Sequence, residues 1–368
     1  MRAVVTRPGA GRAWLADIPR PAIQRPDEAL VQMLRVGVCG TDRHVIARPA
    51  SASRALPDGD DYLVLGHEAV GRVVQVGEDV RTVRVGDLVV PTVRRGCAEC
   101  VACAEGQADL CFTGKIRERG IVGLHGFLAE LIVDQEDHLI RIPEELAEVA
   151  PLVESLCTPE KALRRIGNAR AHLPTDGAVL GGVARALVTG SGPIAILAVL
   201  ALRLRGVATW MLARQPATGP AARLAENCGA TYVCLSDVDL EAPQAGIGAF
   251  DAIIEATGAA ELSVAMVDAL APNGVLDLVG GPPERKAVPI QAAALGAMVG
   301  RNLTVLGSVN ANTADWQAAV TDLSDMGRQF PGAVQAIITD VLSMSDVDLA
   351  FGRTPGQIKA VIDIDSGG

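Results

Sequence analysis

At 368 residues and 49% hydrophobic composition, the chain is long enough for two packed cores. A formal net charge of −10 without a basic block argues against nucleic acid as a partner. The most apolar stretch, Ala186 to Leu202, is broken by Gly190, Ser191, Gly192 and Pro193, so no membrane span is expected. Strand-like residues, Ala3-Val4-Val5, follow Met1 almost at once in place of a charged-then-apolar leader, and a cytoplasmic location is expected. Eight cysteines without a secretory leader then point to bound metal rather than disulfides. Lysine is confined to Lys115, Lys161, Lys286 and Lys359, a scarcity that reads as coding composition.

Residues 1–92 predict short strands separated by turns, which suggests a small all-β barrel: Glu28 to Val38, Ala69 to Val76, and Val85 to Val90 with a turn built in. Cys39-Gly40-Thr41-Asp42 follows the first of these strands. The aperiodic, Pro-, Ala- and Ser-rich segment 48–61 reads as a surface loop near the site entrance. The stretch Leu65 to Gly77 sets His67 and Glu68 between glycines, directly ahead of an alternating strand, a plausible half of a metal site. Next come Cys97, Cys100, Cys103 and Cys111. Two consecutive CxxC steps closed by a fourth cysteine suit tetrahedral zinc, and a closed sulfur shell makes that zinc structural; an iron–sulfur cluster is the other chemistry four thiolates serve.

Strands resume over 120–142 and end at Pro143. A helix is expected to start at Ser155, Thr158 or Pro159 and to continue through Ile166. Glu154 stands just ahead among Ala150, Pro151, Leu152 and Val153. A carboxylate there either meets a cation or benefits from a helix start, and both readings stand.

After a linker at 171–182 the period changes. Ala186 to Thr189 is a buried strand, Gly190-Ser191-Gly192-Pro193-Ile194-Ala195 a GxGxxA turn, and Ile196 to Leu204 an apolar helix. The first glycine makes the turn, the second lets the backbone approach a pyrophosphate, and Ala195 permits helix–strand packing. Further strands at 207–212, 231–235, 251–256 and 274–279, with helices near 217–228 and 260–271, give a doubly wound parallel sheet. Where an NAD site wants an acid after the second strand, this chain has Ala213-Arg214-Gln215, which predicts NADP with Arg214 on the 2′-phosphate and leaves NAD use possible. From about residue 313 a helix near 316–326 and a strand at 358–364 should rejoin the first domain. The expected division is a catalytic domain of 1–172 and 313–368 and a Rossmann domain of 173–312, with the active site in the cleft between them.

These motifs together resemble the zinc-dependent medium-chain dehydrogenase/reductase superfamily over essentially the whole chain. Arg94-Arg95-Gly96-Cys97, the run from Glu118 to Phe127, Glu160-Lys161-Ala162 and Gly307-Ser308-Val309-Asn310 are similar to glucose 1-dehydrogenases of the archaeal type. The resemblance implies a GroES-like catalytic barrel and a Rossmann domain. It implies catalytic zinc on Cys39, His67 and Glu154, with Glu68 as an alternate ligand, and sugar contacts from Thr41, Glu118, Glu154 and Asn310. Asn310 is also expected beside the cofactor, with Gly190, Gly192, Pro193 and Ile194. A homodimer or homotetramer is expected by the same analogy. About where some relatives carry a histidine that reaches the sugar, this chain has Gly300-Arg301-Asn302.

The expected reaction is zinc-assisted hydride transfer from an aldose, foremost D-glucose at C1, to NADP, giving a lactone. Thr41 and Asp42 relay or orient the released proton in one reading; in the other, Asp42 holds the Cys39 loop. Two rivals remain: a dehydrogenase of the same build acting on another polyol, cyclitol or amino-sugar alcohol, and a zinc-free NADPH reductase or nucleotide-binding protein.

Overall fold

The computed structural model describes residues 1–49, 51–52, 56–175, 177–281, 287–352 and 354–364, so the 48–61 loop and Lys286 lie partly or wholly outside the described residues. The chain packs into two units. One comprises Met1–Glu154, Asn312–Val320 and Ile338–Gly368; the other comprises Ser155–Ala311 and Thr321–Ile337.

The first unit is organised on the eleven-residue strand Glu28–Val38. Along one edge it pairs antiparallel with Glu68–Val76, through two register shifts that bend it. The other edge serves two partners, Leu131–Gln135 beside its first half and the returning strand Lys359–Asp363 beside its second. Bending lets one strand wrap a core of Val31, Met33, Val36, Leu65, Val89, Phe127, Leu128 and Ile362, which makes the GroES-like barrel. The expected strand near 85–90 runs from Leu88 to Pro91; Gly86, at φ +97°, makes the turn ahead of it.

Two departures from the sequence reading bear on the site. A short helix, Gly40–Ile46, stands directly after Cys39 where only a turn was expected. The later helix begins at Leu152, not at 155–159, and runs to Arg170 with Pro159 inside it. Leu152, Val153, Leu156, Cys157, Ala162, Leu163 and Ile166 are all buried, and burial of that face outweighs the local preference of proline for a helix start. Glu154 therefore stands in the first helical turn.

The second unit holds six parallel strands: β1 (Arg185–Thr189), β2 (Ala208–Ala213), β3 (Thr231–Cys234), β4 (Phe250–Glu255), β5 (Leu270–Leu278) and β6 (Thr304–Gly307). Their order is β3-β2-β1-β4-β5-β6, so the direction of winding reverses between β1 and β4. Leu187, Leu212, Phe250, Ile253, Leu270 and Leu276 form its core. Sequence periodicity missed β6, which is four residues long, and the apolar helix Ala292–Gly300, none of whose residues is buried. Among the described residues no helix is long and apolar enough to cross a membrane.

Candidate functional site

Cys39 caps the helix Gly40–Ile46. Its Sγ accepts a hydrogen bond from the Thr41 N–H at 3.2 Å, while the Asp42 carboxylate accepts from the Cys39 N–H at 2.9 Å. This reciprocal cap fixes the thiol at the helix N-terminus. His67 is brought opposite by Gly66, whose φ of +84° and tight packing on Val36 and Leu128 exclude a side chain. Cys39 Sγ and His67 Nε2 then lie 3.0 Å apart. Asp42 Oδ1 faces His67 Nδ1 at 3.3 Å, and among the described residues neither atom has a closer partner.

Asp42 is thus fully buried behind the histidine, holding both the Cys39 loop and the imidazole. A carboxylate on Nδ1 leaves Nε2 to face the thiol, the arrangement by which metal-binding histidines are oriented. Burial opposes charge on His67, but Cys39 and the Asp42 carboxylate outweigh it and hold the imidazole well above its ordinary range. Left to itself, the pocket draws in a positive charge.

Glu68 is paired to a buried lysine. Both its oxygens accept from Lys359 Nζ, at 2.6 and 2.5 Å, and both residues are 2% exposed. The register explains the meeting: Glu68 stands opposite Gly37 and Ala360 opposite Val38, so Lys359 reaches the carboxylate beside Gly37. A Cβ on Gly37 would lie 2.3 Å from Glu68 Oε2, so only glycine leaves room. Lys359 is a residue the sequence reading set aside; among the described residues, Lys161 and Lys359 are in fact buried. Glu154 completes a second group with His67 and Glu68. Burial, with Glu68 nearby, raises its carboxyl to about 7 against the pull of His67 and Lys359.

The donors fit a metal ion. Cys39, Asp42 and His67 offer ligand atoms within 4.8 Å of one another, as do His67, Glu68 and Glu154, so two groups share one imidazole. One sulfur, one nitrogen and one carboxylate oxygen suit zinc with a position left over. Cys97, Cys100, Cys103 and Cys111 likewise converge within 4.8 Å. Gly96 is needed there because a Cβ would meet Cys103 Sγ at 2.5 Å, and Ala98 takes a φ of +57° to turn the knuckle. Four sulfurs close a tetrahedron and leave no open position.

In the second unit the turn after β1 follows its motif. Gly190 adopts φ +113°, Gly192 caps the helix Pro193–Leu204, and Pro193 occupies its first position, where the missing N–H costs nothing. Pro193 and Ile194 thus stand at a helix N-terminus suited to a pyrophosphate. Arg214 is exposed immediately beyond the end of β2. Asn310 lies in this unit at φ +56°, its Oδ1 accepting from the Ala311 N–H. Glu118, in the first unit, lies outside the two metal-donor groups and is paired to Arg94 at 2.9 Å. Thr41 is partly buried, two residues from Cys39.

A barrel bearing these donor groups and a doubly wound dinucleotide sheet define the zinc-type medium-chain dehydrogenase class. The family model described as "Alcohol dehydrogenase GroES-like domain" matches residues 25–144, and "Glucose dehydrogenase C-terminus" matches 147–364. The glucose 1-dehydrogenase of Thermoproteus tenax is 36% identical over 99% of both chains. The Haloferax mediterranei glucose dehydrogenase solved with NADP, Zn and gluconolactone superposes with a TM-score of 0.89, at 33% identity and full coverage of both chains. Galactitol-1-phosphate dehydrogenase from Escherichia coli shares the fold, with a TM-score of 0.79, 22% identity and coverage of 99% of this chain and 100% of that one. The chain belongs to the glucose 1-dehydrogenase family.

Proposed function

We propose that this protein oxidises D-glucose at C1 to the lactone with NADP as hydride acceptor and zinc as Lewis acid. The observation that carries the reading is the Cys39–His67 pair at 3.0 Å, with Asp42 behind the imidazole and Glu154 beside it, in a chain of this family. Cys39, His67 and Glu154 hold the catalytic ion, Glu68 is the alternate ligand, and the four cysteines hold a structural one. When bound, the catalytic ion lowers the pKa of the sugar hydroxyl and stabilises the developing negative charge, so that hydride leaves C1 for the nicotinamide.

The chain's own residues do the rest. Asp42 keeps the His67 Nε2 lone pair directed at the ion and, being buried behind the ring, acts as a positioning residue rather than a proton relay. Thr41 Oγ1 accepts a hydrogen bond from the sugar hydroxyl and relays the released proton, giving up its own to solvent water as it takes that one. Glu118, steadied by Arg94, and Glu154 orient the sugar. Gly190, Gly192, Pro193 and Ile194 take the pyrophosphate, Arg214 takes the 2′-phosphate, and Asn310 borders the cofactor. The first unit supplies the metal chemistry and the second the dinucleotide site.

NADP reduction against a panel of aldoses, polyols and cyclitols tests the substrate, with glucose or a close aldose expected to turn over fastest. Turnover of cyclitols or amino sugars alone would keep the chemistry and refute the substrate. For Arg214→Ala, affinity for NADP should fall by about 10- to 100-fold while that for NAD holds, since charge-assisted contacts to phosphate are worth roughly 1.5–3 kcal/mol. A parallel loss for both dinucleotides would remove Arg214 from the phosphate site.

The assembly is a homodimer or homotetramer. Supporting this, Leu295 and Val299 on the helix Ala292–Gly300 are 53% and 81% exposed, and among the described residues β6 leaves one sheet edge unpaired. Light scattering should give at least two chains per particle, and Val299→Asp should shift it toward the monomer; a monomeric wild type would contradict the assignment.

A further inference from the structure

We propose that Glu255 is a positioning residue for the dinucleotide: from the point where strand order reverses, its carboxylate fixes the segment against which the glycine turn packs. This rests on reading the second unit as an NADP site. Glu255 ends β4 and is fully buried. Four neutral donors converge on it. Its Oε1 accepts from Thr189 Oγ1 at 3.1 Å, from the Thr257 N–H at 2.8 Å and from the Thr257 hydroxyl; its Oε2 accepts from the Gly258 N–H at 3.1 Å.

Thr189 is the last residue of β1, the strand on the other side of the reversal. The backbone oxygen of Glu255 also accepts from the N–H groups of Val279 and Gly280, at 2.9 and 3.0 Å, just beyond β5. One residue thus ties together the carboxyl ends of β1, β4 and β5, outside which doubly wound folds bind ligands. The strands are already paired by their own ladders. What the side chain adds is the placement of Thr257 and Gly258. Thr257 in turn bounds the glycine turn: a Cβ on Gly190 would meet Thr257 Cγ2 at 3.3 Å and Ala195 Cβ at 3.4 Å. Moving Thr257 therefore changes the room left to Gly190 and the shape of the pyrophosphate cradle.

Glu255→Gln keeps the shape but replaces one acceptor with an NH2, which meets either Gly258 N–H or the three donors at Oε1, whichever way the amide turns. The dissociation constant for NADPH, read from the fluorescence of the bound nicotinamide, should rise at least about tenfold. Metal content and the KM for sugar should hold, and kcat at saturating NADP should stay within about threefold. Lowered thermal stability with unchanged NADPH affinity would mean a purely structural role and overturn the proposal. If Glu255→Gln does not fold, Thr189→Val removes only the link between β1 and β4; a smaller rise in the same dissociation constant is expected, and none would overturn the proposal. Wild type that binds no NADPH would instead refute the dinucleotide reading on which the proposal rests.

Discussion

His67→Ala is expected to lower kcat/KM for glucose by about 10³-fold or more, the scale of losing several kcal/mol of Lewis-acid stabilisation. His67 is the one residue common to both donor groups, so its loss dismantles Cys39/Asp42/His67 and His67/Glu68/Glu154 together. The cysteine lobe shares no residue with them and should keep its ion. Metal analysis after dialysis should therefore show the variant retaining the thiolate-bound zinc and losing the other. Full activity in the variant would sink the assignment of the centre; loss of both metals would show that the lobe depends on it.

Lys359→Met carries the largest expected effect on stability. It leaves the Glu68 carboxylate walled in by Gly37 with its cation gone, and removing one partner of a buried pair costs about 3–5 kcal/mol. The pH dependence follows from the lysine. Burial lowers its pKa, but Glu68 and Cys39 outweigh burial and raise it above the ordinary 10.5. A raised pKa means that the folded state holds the proton more tightly, so the contribution of Lys359 is complete below 10.5 and fades as pH climbs through the folded value. Denaturant midpoints for wild type and Lys359→Met should thus differ by a constant amount from neutral pH to about 10 and converge above it. Adding Glu68→Gln to the variant should restore part of the loss. A difference under about 1 kcal/mol at neutral pH, typical of an exposed pair, would contradict the buried-pair account.

What the sequence made legible was whatever local spacing encodes. Cys97 to Cys111 lie within fifteen residues, the Gly190 turn is contiguous with its strand and helix, and Gly66-His67-Glu68 announces a turn into a strand. Asp42 was visible but ambiguous, because its role depends on which way it faces, and that is set by the cap on the helix Gly40–Ile46. Lys359 was not legible at all: it lies 291 residues from Glu68, and only the return of the last strand beside Glu28–Val38 brings them together. Glu255 carries no motif either, since its importance comes from strand order. Pro159 misplaced the start of its helix because a local preference was weighed without the buried face that overrides it. β6 and the helix Ala292–Gly300 escaped because an apolar segment left exposed shows no amphipathic period.

The most direct test of the central claim is NADP reduction by glucose before chelation, after removal of the accessible metal, and after zinc is returned. The account predicts turnover that is lost on chelation while NADPH binding persists, and that returns with zinc. Turnover that survives removal of the metal at Cys39, His67 and Glu154 would contradict it.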